Sequence, residues 1–101
     1  MPEFITDYGW AKLSQIDTFD VLDSVEKDKR MKYLDFEGNL LLFKSLIEHP
    51  GEYFLYIENF MHYFHTSCGK LTVNEDSIEL ITRHSKYRFT LIPNKTNTLF
   101  Q

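Results

Sequence analysis

The chain is poor in the residues that cross-link and punctuate small proteins. Its one cysteine, Cys68, cannot form an internal disulfide, which fits a reducing compartment. There are only four glycines, and none are spaced as G-x-G-x-x-G or G-x-x-x-x-G-K-[ST], so neither a dinucleotide fingerprint nor a phosphate loop is present. "CGKLT" (68–72) comes nearest to a phosphate loop, but it leads into a strand pattern and not a helix. No run approaches the roughly 20 apolar residues of a membrane-spanning helix. The opening "MPEFITDYGW" has no basic segment followed by an apolar one, so no secretory leader is expected. "NKT" at 94–96 matches a glycosylation sequon, which carries no weight in a chain that is not secreted. The expectation is a cytoplasmic protein with no membrane association.

Basic residues are also in deficit. Fifteen acids stand against eleven Lys and Arg, for a formal charge of −4, which argues against a nucleic-acid-binding surface. What the chain has in excess is rings: nine Phe, six Tyr and one Trp among 101 residues. Each can bury on the order of 150–250 Å², so an ordered core is expected. The length fits one compact domain over 1–93. Within it, 1–17 reads as a weakly patterned arm anchored by Trp10. Residues 94–101 read as a flexible polar tail, whose Leu99 and Phe100 could dock on the body or on a partner.

"DTFDVLDSVEKDKR" (17–30) has acids early and bases late, which complements a helix dipole, although Phe19, Val21 and Val25 also fit one side of a strand. "MKYLDFEGNLLLFKSLI" (31–47) reads as a hairpin turning at Gly38-Asn39, with Phe36 facing Leu41 and Leu34 facing Phe43. A helix over 40–49 is the rival. "HPG" (49–51) then breaks whichever element precedes it. From 70 to 93, "KLTV", "SIELITR" and "YRFTLIP" alternate and are separated by "NED" and "HSK", the pattern of a three-stranded antiparallel meander.

The densest aromatic stretch is "YFLYIENFMHYFHTSC" (53–68). At about 100° per residue, Tyr53, Phe54, Ile57, Phe60, Met61 and Phe64 fall on one arc. Glu58, Asn59, His62 and His65 fall opposite, with Leu55 the only apolar intruder. The spacing predicts an amphipathic helix at about 52–66, although aromatic and β-branched residues favour strands. The fold class expected is therefore α+β, an antiparallel sheet (hairpin 31–47 plus meander 70–93) packed against that helix. The alternative is an all-β meander or small barrel.

A helix there would gather Glu58, His62 and His65 on one surface, a set that suits a divalent metal. No HExxH, no repeated Glu-x-x-His and no fourth ligand accompany them, so no metal and no cofactor are assigned. Cys68 could act as a nucleophile with His62 or His65 as base, but "HTSCGK" matches no catalytic signature and the thiol is read as structural. The run Asp17, Asp20, Asp23, Glu26 and Asp28 could steer a basic partner, or be an ordinary solvated face partly neutralised by Lys27, Lys29 and Arg30. "RHSKYR" (83–88) could touch phosphate, and reads equally as a charged turn.

Three classes of function remain. The first is a small protein that binds and inhibits or chaperones another protein, of the immunity, antitoxin, phage-inhibitor or secretion-chaperone kind. Its contact surface is placed at Tyr56, Glu58, His62, Tyr63 and His65, with the acidic run as second choice, and self-association into a homodimer is an alternative use of the surplus rings. The second class is a small-ligand binder with an aromatic-lined pocket. The third is an enzyme using the Glu58, His62 and His65 face or Cys68.

Overall fold

The structure, a computed structural model, describes residues 2–18, 31–46 and 49–93. Every element described is a strand: β1 Glu3–Thr18, β2 Glu37–Lys44, β3 Tyr53–Glu58, β4 Tyr63–His65, β5 Gly69–Val73, β6 Ser77–Thr82 and β7 Ser85–Leu91. All pairings are antiparallel, in the order β2-β1-β7-β6-β5-β3-β4, and β2 also pairs with β3. The sheet therefore closes on itself as a small barrel in which consecutive strands pair, β4 and β5 excepted. β4 and β5 share one edge of β3. Between them Thr66 continues the ladder: its N–H donates to the Leu55 carbonyl (2.9 Å), and its hydroxyl accepts from the Leu55 N–H (3.0 Å).

The barrel axis is filled. Ala11, Leu13, Leu40, Leu55, Ile57, Ile78, Leu80 and Phe89 are all fully buried, with Leu42, Ile16 and Tyr87 nearly so. Tyr33, Leu34 and Phe36 pack against one part of this core ahead of β2, and Tyr33 lies 4.6 Å from the Phe64 ring. Among the described residues no buried side-chain N or O lacks a hydrogen-bond partner.

Closing so few strands into a ring needs sharp coiling, and two devices supply it. Glycines sit where strands cross closely: a Cβ on Gly38 would fall onto the Glu58 carbonyl, and one on Gly69 onto the Ile81 carbonyl. Bulges supply the rest. The register of β1 slips between Phe4 and Thr6, between Asp7 and Gly9, and between Leu13 and Gln15. Extra residues in one strand increase local twist and bend it. They let the sixteen residues of β1 pair with β2 along the first part and β7 along the second. Gly9 adopts φ 83°, and its N–H donates to the Asp7 carboxylate (2.8 Å).

These strands correct several expectations. The helix at 52–66, and with it the α+β class, is overturned, and the all-β alternative is what the chain forms. Residues 53–58 are extended because Leu55 and Ile57 point into the core while Phe54 and Tyr56 pair with rings on the outside. Asn59 then turns the chain: its side-chain oxygen accepts from the Met61 and His62 N–H groups (3.1 and 3.2 Å). The 31–47 hairpin is not formed, and neither is the rival helix. Gly38 and Asn39 lie inside β2, where the glycine is needed for close approach and not for a turn. The N-terminal segment read as an arm is the longest strand. Asp17 and Thr18 close β1, and residues 19–30 and 94–101, with the acidic run and tail placed there, lie outside the described residues.

The meander over 70–93 matches β5, β6 and β7 to within two residues, with Ile78, Leu80 and Thr82 buried together on one face.

Candidate interaction face

On an antiparallel sheet, residues directly opposite each other project to the same side. Reading the outer side of β1–β4 across the register gives successive rows. Phe4, Phe43 and Phe54 form one; Asp7, Leu41, Tyr56 and His65 the next; Trp10, Asn39, Glu58 and Tyr63 a third. The rings touch along and between these rows. Phe43 stacks on Phe54 at 5.2 Å and meets Phe4 edge-on at 5.7 Å. Tyr56 stacks on Tyr63 at 5.4 Å, and Tyr63 lies parallel to His65 at 6.5 Å. Phe4 and Tyr63 nonetheless remain more than half exposed, and Phe60 in the β3–β4 turn is 74% exposed. The rings pack sideways on one another and leave their outer surfaces to solvent.

Two clefts open on this face and a third beside it. The first, of about 540 Å³, runs between Trp10 and Phe60 over Leu41 and Asn39, with Asp7 and Glu58 on its banks. The second, of about 470 Å³, is lined by Phe43, Phe54, Tyr56, His65, Cys68 and neighbouring Pro2 and Thr66. The third, of about 690 Å³, lies around Lys32, Tyr33, Met61 and His62 at the β3–β4 turn.

The Tyr56 hydroxyl is pushed above its usual pKa of 10.0, first by burial, then by the Glu58 carboxylate, the neighbouring Tyr63 and a hydrogen bond to Glu58. In that hydrogen bond the phenol donates and the Glu58 carboxylate accepts.

The residues singled out from sequence are partly brought together. Tyr56, Tyr63 and His65 form the stack, and Glu58 sits opposite Tyr63 in register. His62 instead lies in the turn and borders the third cleft. The segment is an extended ribbon, yet its imidazoles still face out: His62 and His65 are both exposed. The extended hairpin does not make Glu58, His62 and His65 a metal site. Among the described residues no group of three or more His, Cys, Asp or Glu could hold an ion. His65 Nδ1 lies 3.2 Å from the Thr66 carbonyl, and Cys68 is half-buried on the cleft His65 also lines.

Asp17 is remote from this face, on the β1–β7 pairing opposite Lys86, and accepts from Gln15 Nε2 at 2.7 Å. Of the basic cluster, Lys86 and Arg88 both reach Glu79, at 3.3 and 3.5 Å, and Glu79 partly neutralises them. Among the described residues no helix is long and apolar enough to cross a membrane.

Sequence reasoning missed Phe4, Trp10, Leu41, Phe43 and Phe54 as members of the face. The signal was there in "LLLF" and "YFLYI", where both alternating sets are apolar. One set fills the barrel and the other coats it. Comparison with protein-family models, with curated proteins and with solved structures finds no match to this chain.

Proposed function

We propose that the protein is a cytoplasmic interaction module that binds another protein through the aromatic outer face of β1–β4, and so inhibits or chaperones it. The observation that carries this reading is where the rings go. The barrel interior is closed mainly with aliphatic side chains, while Phe4, Phe43, Phe54, Tyr56 and Tyr63 stack on the outside. Contiguous exposed apolar surface on a small domain marks a contact site, and aromatic side chains dominate such contacts energetically. Three strand spacings by about four residues give a flat footprint of roughly 200 Å². That matches the central cluster of an interface burying about 800 Å² per partner, with the Phe60-Met61 turn and the edge of β1 as rim.

The test is affinity purification of the tagged protein from its own cells, beside a Phe43→Ser/Tyr56→Ser variant whose fold is checked by circular dichroism. Recovery of one near-stoichiometric partner with the parent and not with the variant is expected. Equal recovery with both would refute the reading, and recovery of the tagged chain only with its own untagged copy would make the face a homodimer contact.

A second reading has one observation in its favour. The cleft beside Phe43, Phe54 and Tyr56 is lined almost wholly by carbon, as a small apolar ligand would need. Such a ligand would raise the melting temperature by mass action without any protein partner.

A further inference from the structure

We infer that the cleft between Trp10 and Phe60 is a receptor for an arginine side chain of the partner. This deepens the proposed protein-binding role, and rests on it, by naming the chemistry that the partner brings.

The cleft combines two features that a guanidinium uses at once. Its walls are aromatic: the Trp10 indole from β1 and the Phe60 ring from the β3–β4 turn, with Leu41 as an apolar floor. Its banks carry carboxylates, Asp7 beside Trp10 and Glu58 beside Phe60, and no cation among the described residues lines it. Lys12, the nearest base along β1, is drawn instead to Asp35 at 3.6 Å. A guanidinium is planar, stacks on aromatic faces, and offers its edge donors to carboxylates. An ammonium would satisfy the charge without stacking its plane on the rings.

The cleft is also held in shape before anything enters it. Trp10 Nε1 donates to Glu37 Oε1 at 3.1 Å, which fixes the indole plane. Asp7 Oδ1 accepts from Asn39 Nδ2 at 2.7 Å and from the Gly9 N–H at 2.8 Å, so the carboxylate is anchored by one oxygen. Asn59 ties the opposite wall down, donating from Nδ2 to the Glu37 carbonyl at 2.9 Å while its other side-chain atom closes the turn that presents Phe60. Pre-set walls reduce the ordering cost of binding. They also account for an aromatic side chain left 74% exposed at a turn closed by Asn59.

Trp10 is the chain's one tryptophan, so its emission reads the cleft directly. The experiment titrates the full chain with acetyl-Gly-Arg-Gly-Arg-Gly-amide and, separately, with the same peptide carrying citrulline, the neutral isostere. A saturable change in Trp10 emission is expected with arginine only, weakening as salt is raised. Glu58→Gln and Phe60→Ala, both at exposed positions, should each weaken it about five- to tenfold. Ile81→Ser, at an exposed position on β6 outside the cleft, should leave it unchanged. No response to the arginine peptide, equal response to citrulline, or undiminished binding by both cleft variants would overturn the assignment. If the peptide fails while partner capture still depends on Phe43, the cleft assignment falls and the protein-binding role stands. If the peptide binds while capture ignores Phe43, the assignment stands and the wider face loses its role.

Discussion

Phe43 and Phe54 lie on neighbouring strands with their rings parallel, 5.2 Å between centroids and 8° between planes, on the outside of a barrel whose inside they never enter. Aromatic pairs of this kind add about 0.5–1.5 kcal/mol beyond the area they bury. A double-mutant cycle of Phe43→Ala and Phe54→Ala, followed by urea unfolding, should show a coupling of that size. Strict additivity would mean that the rings touch without stabilising each other and are free to serve a partner alone.

Leu55 and Phe60 discriminate between the extended hairpin and a helix over the same residues. Leu55 is fully buried and Phe60 is 74% exposed, the reverse of what a helical wheel assigns them. Leu55→Ala should therefore cost about 2–5 kcal/mol, and Phe60→Ala less than about 0.5 kcal/mol. Equilibrium denaturation of the two variants measures this, and a reversed order would restore the helix.

How much of this was legible in the sequence turns on that contrast. The meander could be read because β6 and β7 have a wet side: Glu79 and Arg88 alternate with Ile78, Leu80, Tyr87 and Phe89. Residues 53–58 have no such side. Leu55 and Ile57 go in, Phe54 and Tyr56 go out onto other rings, and the period of two disappears from the hydropathy pattern. A wheel then bridged the Asn59–His62 turn and absorbed two short strands into one helix, with Leu55 left over as the misfit. β1 was hidden differently, since three register slips in sixteen residues put its alternation out of phase with itself. Tyr56, Glu58, Tyr63 and His65 share an outer side for a different reason than the wheel gave: residues alternating along a hairpin's outer side overlap with those the wheel grouped.

The glycines at close strand crossings should tolerate no side chain. Gly69→Ala would drive a methyl group into the Ile81 carbonyl, and the backbone of a paired strand cannot yield cheaply. A loss of about 2–4 kcal/mol is expected, against about 1 kcal/mol for Gly9→Ala, where the space is open and only the φ of 83° is strained. Thermal and urea unfolding of both would show whether β5 approaches β6 as closely as described.

Alkaline titration should show late ionisation of Tyr8 and Tyr56. Tyr8 and Tyr56 both have a pKa raised above 10.0, Tyr8 by burial and then by neighbouring Tyr53, Tyr56 by burial and then by Glu58. The folded protein thus keeps these protons where the unfolded chain has begun to release them. The stability they confer is complete below pH 10 and declines as pH rises from there through the folded values. Absorbance of the phenolate, compared between the parent and Tyr56→Phe, should assign the late component to Tyr56.

The central claim is that the outer side of β1–β4 is the surface a partner covers. Hydroxyl-radical footprinting of the protein, alone and in the complex recovered from its own cells, tests it most directly, because oxidation reports side-chain exposure residue by residue. Phe4, Tyr56, Phe60 and Tyr63 should be oxidised in the free protein and protected in the complex, while Val73 on β5 and Ile81 on β6, both exposed, stay reactive. Protection of Val73 and Ile81 with Phe4 and Tyr63 still oxidised would contradict it.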